Sequence, residues 1–346
     1  MRAATFHEPG DLRVGDVSEP QAGPGELKLR MLATATCGTD AKIFRHGHHR
    51  LEPPQIIGHE LAGEIVEVGE GVTGFAVGEL VQVIAAVPCG TCWACTSGVM
   101  TICPNQTSMG YQYPGGFAEY MIVPRQVLAV DGVNRVPDHV SAAEASVTEP
   151  LACALNAQEL AWVGDGDVVV VIGAGPIGCL HVRLARARGA ARVHLVDVNA
   201  DRLRLSADRV HPDTAIDASA EDVVEAVKKL TDGRGADVII TAAPSGRTQE
   251  QAIEMAAPRG RISFFGGLPK DDPYIRCDSN IVHYRELYLI GANGSSPEHN
   301  RRALQLIADG DVPVADLITH RVPLERVHDA IDAVISGEAI KVVVEP

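Results

Sequence analysis

The sequence is short of positive charge. Against 45 Asp and Glu stand 30 Lys and Arg, a formal net charge of −15, and no Lys/Arg-rich run or basic helix offers a local exception. A surface of that sign repels phosphate backbones and anionic lipid, so nucleic acid and membrane are excluded as expected partners. A bilayer-spanning stretch is also missing. The longest strongly apolar run, DVVVVIGAGPIGCL, is too short and too glycine-rich to cross a membrane. The amino terminus, MRAATFHEPGDLRV, lacks the apolar core of a secretory leader, and a cytoplasmic protein is expected. Internal repeats and low-complexity segments are absent as well.

What is present is a composition of 46% hydrophobic and 22% charged residues over 346 positions. That is globular composition, at a length beyond the point where one core keeps growing, so two domains are expected. Residues 1 to about 140 are rich in Gly, Pro and Val. Short β-prone runs such as LKLRMLATATC, LAGEIVEVG and GELVQVIAAV lie between turn signals there, which predicts a barrel-like or irregular β domain. Toward its end Ser141 and Glu144 have capping-box spacing, and Pro150 is expected to restart a helix with Glu149 just before it.

From 153 to 289 the texture changes to continuous apolar strands (DVVVVIGAG, RVHLVDVN, ADVIITAA, RISFFGG) separated by helical runs (PIGCLHVRLARARG, VVEAVKKLTDG, QAIEMAAPRG). Strands apolar on both faces require helices on both faces, which predicts an α/β domain with a doubly wound parallel sheet. The tail, 290–346, is mixed and is expected to rejoin the first domain.

Within the second domain VVVVIGAGPIG puts Gly173, Gly175 and Gly178 at a strand-to-helix turn, with Pro176 and Ile177 between the last two. A bare GxGxxG is weak. Here it follows a buried strand and opens a helix, and the next strand ends in Asp197, 19 residues after Gly178. Glycine lets the backbone approach a pyrophosphate, and the helix amino terminus offers unpaired N–H groups to it. Asp197 would accept from ribose hydroxyls and repel a 2′-phosphate, so NAD is expected over NADP. Arg202 and Arg204, just beyond, soften that preference.

Four of the eight cysteines, Cys89, Cys92, Cys95 and Cys103, fall in PCGTCWACTSGVMTIC with the spacing C-x2-C-x2-C-x7-C. Disulfides at that spacing would close very tight rings. Four thiolates can instead converge on zinc and leave no open position, so a structural zinc that braces a lobe is the favoured reading. An iron-sulfur cluster is the alternative, with Pro104 after Cys103 in its favour. Elsewhere Cys37 and the adjacent His59 and Glu60 are metal-ligand types that mean little singly.

Taken together, CGTD at 37–40, GHELAGEIVEVGEGV at 58–72, the four-cysteine lobe, GGFAEYMIVP at 115–124, TEPLACAL at 148–155, GAGPIG at 173–178 and THRVPLE at 319–325 make a pattern that resembles the zinc-dependent medium-chain alcohol dehydrogenases. The branch is that of the sorbitol (polyol) and threonine dehydrogenases. The resemblance runs nearly end to end and implies a GroES-like β-rich catalytic domain (1–152), a Rossmann NAD-binding domain (153–289) and a return to the catalytic domain (290–346).

By the same resemblance Cys37, His59 and Glu60 match catalytic zinc ligands, and Glu149 matches a carboxylate that binds zinc directly or through water. Thr39 matches the hydroxyl that bonds the alcohol, and Asp40 orients a ligand. Two zinc ions per chain are implied, with NAD as cofactor. Zinc with an exchangeable position acidifies a bound alcohol, and the nicotinamide takes the hydride. Two departures stand out. The relay histidine of many relatives is here Lys42, which leaves His46, His48 and His49 as candidates. The arginine of polyol dehydrogenases is replaced by Gly294, which shifts the expected recognition of substrate hydroxyls to Asn293, Ser295 and Ser296, with Arg45 and His46 opposite.

The expected activity is oxidation of a secondary alcohol in a polyol, cyclitol or sugar-like small molecule. Threonine 3-dehydrogenase or a simple secondary-alcohol dehydrogenase is the close alternative, and a non-catalytic NAD-binding relative the distant one. A homotetramer or homodimer is implied, with contact near residues 280–293.

Overall fold

A computed structural model describes residues 1–346. The chain separates into two compact units, Met1–Ala152 with Gly294–Pro346, and Cys153–Asn293.

The first unit is built on a seven-stranded sheet. Its central strand, Leu27–Ala35, pairs antiparallel with Glu60–Val68, with Tyr120–Val123 and with Lys341–Glu345 near the carboxyl terminus. Beyond Glu60–Val68 come Leu80–Val83 and Val133–Arg135, and beyond Lys341–Glu345 comes Ile318–Pro323. The period of two explains the packing: Leu27, Leu29 and Met31 share one face and close a core with Leu61, Ile65, Val81 and Val83. A smaller sheet of Arg2–Glu8, Asp11–Asp16 and Gln55–Ile56 lies on another core containing Phe6, Ile57 and Phe117.

Buried amides fasten the returning segment to this unit. Asn134 donates to the Gln82 side chain at 2.8 Å, Gln82 reaches Asn300 at 3.3 Å, and Asn300 donates to the Ser295 hydroxyl at 3.1 Å. Each such bond stabilises by about 1 kcal/mol, and each broken one strands a buried dipole at greater cost. The capping box is also formed: the Ser141 hydroxyl accepts from the Glu144 N–H, and the Glu144 carboxylate accepts from the Ser141 N–H.

The second unit holds six strands, all parallel, in the order Thr214–Asp217, Arg192–Asp197, Val168–Ile172, Ala236–Thr241, Ala256–Phe264, Tyr288–Gly291. The first two crossovers run one way across the sheet and the rest run the other. Sequence reversal at Val168–Ile172 is the switch point of a doubly wound dinucleotide fold. That strand is buried at every residue, which is why its sequence shows no alternation.

Two local expectations differ. QAIEMAAPRG is not helical throughout: the helix Gly246–Glu254 stops, and a strand begins at Ala256, which pairs with Ala236. Small apolar Ala256 and Ala257 suit either state, and the open sheet edge decides. Glu149 does not precede its helix but lies in the first turn of Thr148–Leu160, with Pro150 after it.

Candidate functional site

Three strand ends bring the first site together. Leu27–Ala35 runs out into Cys37, while its antiparallel neighbours Glu60–Val68 and Lys341–Glu345 start beside that end, with Ala35 opposite Glu60 and Val343. Cys37 then caps the helix Gly38–His46, where Asp40 accepts from the Cys37 N–H at 2.9 Å. His59 and Glu60 are aimed by Gly58, whose φ of +94° only glycine adopts easily; a Cβ there would meet Thr34 and Phe117 at 3.0 Å.

The result is a compact donor set. One ligand atom from each of Cys37, His59 and Glu60 lies within 4.8 Å of the others. The Asp40 carboxylate faces His59 Nδ1 at 3.3 Å. Burial disfavours charge on the imidazole, yet Asp40 and Cys37 outweigh it and raise the His59 pKa well above its usual value. A thiolate, an imidazole and a carboxylate suit zinc, and three protein donors leave a position for substrate. Glu149 stands outside the tight set of three. It is nonetheless buried, and its charge bears on Glu60 and Lys341.

The sequence reading missed two residues here. Lys341 donates to both Glu60 oxygens, at 2.8 and 2.6 Å, and to the Thr36 carbonyl at 2.9 Å. Burial pushes the Glu60 carboxyl up, with Lys341 opposing; burial pulls Lys341 down, and Glu60, Cys37 and Glu149 together more than offset it. The signal available was a lone Lys inside the apolar run AIKVVV. The other is Tyr111, whose ring lies 6.4 Å from that of His59 and 5.0 Å, edge-on, from that of His48. Burial pushes its phenol up to about 12.

Thr39 is half-buried in the same helix and makes no internal hydrogen bond. Lys42, Arg45 and His46 are exposed, whereas His48 packs against Tyr111. The loop expected to meet substrate hydroxyls is otherwise engaged. Ser296 caps the helix Pro297–Ala308 by accepting from the His299 N–H, Ser295 accepts from Asn300, and both hydroxyls are buried. Helix formation claims Ser296 because an uncapped amino terminus would leave N–H groups unpaired, whereas Ser295 is held by the Asn300 side-chain amide.

The four-cysteine lobe is a second donor set. Its sulfurs lie 4.0 Å (Cys89 to Cys95), 3.5 Å (Cys92 to Cys95) and 3.7 Å (Cys92 to Cys103) apart. A zinc ion with ~2.3 Å bonds to four sulfurs would set them roughly 3.8 Å apart, so the set fits a closed tetrahedral ion. Backbone N–H groups already point inward, from Cys92 to Cys89 and from Cys89 to Cys103.

In the second unit the glycine turn is tight. Gly173 has φ +116° and Gly175 caps the helix Pro176–Ala187, with Pro176 at its start and Ile177 next. A Cβ on Gly178 would stand 1.8 Å from the Gly173 carbonyl oxygen, so the helix approaches the strand only with glycine there. Asp197 ends its strand and accepts from the N–H of Ala174 at 2.7 Å and of Asn199 at 2.8 Å. Its carboxylate thus helps shape the turn it would share with a ribose. Arg202 Nε lies 3.7 Å from Asp197, and Arg204 pairs with Asp201 instead. A cavity of about 230 Å³ beside this turn is lined by Gly173, Asp197, Val198, Ser245, Arg247 and Thr248, among others.

A mixed thiolate, imidazole and carboxylate set in one unit and a dinucleotide turn in the other are the equipment of a metal-dependent dinucleotide oxidoreductase. The sequence matches the family "Alcohol dehydrogenase GroES-like domain" over residues 23–132 and "Zinc-binding dehydrogenase" over residues 176–309. It is 35% identical to a sorbitol dehydrogenase of Halalkalibacterium halodurans, covering 99% of this chain and 98% of that one. An L-threonine 3-dehydrogenase of Pyrococcus horikoshii is 34% identical over 95% of this chain and 93% of the other. The fold is shared with a zinc-binding dehydrogenase from Sinorhizobium meliloti solved bound to NADP, with a TM-score of 0.92, 32% identity, and coverage of 100% and 99%.

The chain belongs to the zinc-dependent medium-chain alcohol dehydrogenase family. It is an alcohol or polyol dehydrogenase of GroES-like and Rossmann architecture that acts on a small-molecule alcohol with zinc and a nicotinamide cofactor.

Proposed function

We propose that the chain oxidises a secondary alcohol of a polyol, cyclitol or sugar-like substrate with NAD. The observation that carries this reading is the convergence of Cys37, His59 and Glu60 within 4.8 Å. Zinc bound there would supply the Lewis acidity that lowers the pKa of the substrate hydroxyl. Asp40 keeps His59 in one orientation, and Glu149 adds buried negative charge beside the set. The Thr39 hydroxyl, which makes no internal hydrogen bond, would accept the alcohol proton and pass it on. Cys89, Cys92, Cys95 and Cys103 hold a second, structural zinc, giving two ions per chain, and a reducing cytoplasm suits such a site.

Preference for NAD rests on Asp197, which would accept from a ribose hydroxyl and repel a 2′-phosphate; Arg202, 3.7 Å away, moderates it. The threonine dehydrogenase relative keeps L-threonine as a second reading, since that substrate is also a secondary alcohol. No helix is long and apolar enough to cross a membrane. Assembly into a homodimer or homotetramer is supported by Tyr288–Gly291, an edge strand with Tyr288 and Leu289 exposed.

The test is the initial rate of NADH and NADPH formation across polyols, cyclitols, L-threonine and simple secondary alcohols, with zinc counted per chain. Polyols with NAD should lead, and Asp197→Ser should narrow the gap between cofactors by about tenfold or more, since roughly 1.4 kcal/mol is tenfold. Faster turnover with NADP in the unaltered chain would remove the role given to Asp197. Cys37→Ser and Glu60→Ala should each lose activity and one zinc; full retention of both would misplace the site.

A further inference from the structure

Lys341 is in an unusual position for an ammonium group. Its side chain is 3% exposed and that of Glu60 is 0% exposed, so water reaches neither. The three Nζ protons are all used: two on the two Glu60 oxygens and one on the Thr36 carbonyl. Buried charges persist only when paired, so this arrangement neutralises a carboxylate that would otherwise be stranded. The same carboxylate sits in the candidate metal set with Cys37 and His59. A cation that grips both oxygens of a prospective ligand, at low dielectric, repels a second cation arriving at that ligand.

Resting on the reading of Cys37, His59 and Glu60 as zinc ligands, we propose that Lys341 is a positioning residue that competes with zinc for Glu60. In the metal-free protein it holds the carboxylate in place and keeps the strand ends together. With zinc bound it shares the carboxylate and lowers the affinity of the site. Lys341 lies 281 positions from Glu60 in sequence, on a strand that no ligand occupies, so it can be altered without touching a donor.

The experiment titrates zinc into the full-length metal-free protein against a chromophoric chelator, and reads the weaker of the two zinc equivalents together with the melting temperature before and after zinc. Lys341→Met should bind that equivalent at least about tenfold more tightly, as loss of a close buried charge predicts. It should also melt lower than wild type without zinc and gain more from zinc. Lys341→Gln, which keeps a donor to Glu60 without the charge, should show the same tightening and serves if the Met variant does not fold. Lys341→Arg should stay near wild type. Unchanged affinity in the neutral variants, with only lower melting, would make Lys341 a structural brace and overturn the proposal, as would weaker binding. Cys37→Ser in the same titration separates the two ideas. If it loses the weaker equivalent, the outcome for Lys341 stands on its own; if it keeps both, the zinc reading fails and the proposal with it.

Discussion

Asp40 shows how much a single side chain decides. It is fully buried, accepts from the Cys37 N–H and faces His59 Nδ1. One carboxylate therefore orders two prospective ligands, one through its backbone and one through its ring. Groups that orient metal-binding histidines typically contribute 10–100-fold in metal affinity or activity. Asp40→Asn is expected to weaken zinc binding and lower kcat/KM by about that factor, with little change in the KM for NAD. Equal losses in NAD affinity would point to a global defect instead. The role of Asp40 as orienter of a ligand was legible through the family resemblance carried by CGTD at 37–40. Lys341 was not, because no local pattern ties it to Glu60; the only clue was a charge where the strand should be apolar.

At the scale of elements, the two metal sets differ in how they are assembled. The four cysteines come from one loop with a short helix, Trp93–Thr96, so their spacing encodes their geometry. Cys37, His59 and Glu60 come from the ends of two neighbouring strands, and only strand register brings them together. Cys95→Ser is expected to reduce zinc from about two ions to about one per chain and to lower the melting temperature, while chemistry per folded molecule is largely kept. A chain with one zinc and no turnover would instead make the lobe part of the reacting site. The glycine turn is local too: Gly178 is pressed against the Gly173 carbonyl five residues earlier, so the motif was legible. The start of the Ala256–Phe264 strand was not, because its first residues are small and take the structure of whatever edge they meet.

For the molecule as a whole, acid acts on stability through buried histidines of the second unit. His181 is buried in the helix Pro176–Ala187, held by Gln158 at 3.2 Å and edge-on to Phe265 at 4.8 Å. Burial lowers its pKa from 6.5 to about 3, and burial lowers that of His194 in the same unit. The unfolded chain takes up protons below about 6.5 that the folded unit refuses. This contribution is therefore complete above that pH and is lost as pH falls toward 3. His181 alone can supply a slope of up to about 1.4 kcal/mol per pH unit in that window. Urea unfolding at pH 7.5, 6.5 and 5.5 should show a steeper loss for wild type than for His181→Leu. Parallel curves would mean that His181 accepts a proton while folded.

The sequence by itself determined whatever depends on near neighbours: the glycine turn ending in Asp197, the cysteine spacing, the capping box, and an acidic surface with no membrane-spanning helix. Through its ordered motifs it also pointed to the family. Tertiary structure alone decided that Lys341 grips Glu60 and that Tyr111 packs beside His59. The physical reason is common to both. Hydrogen bonds and buried ion pairs act over a few ångströms, and distances that short between residues far apart in sequence exist only after the sheet has set its register.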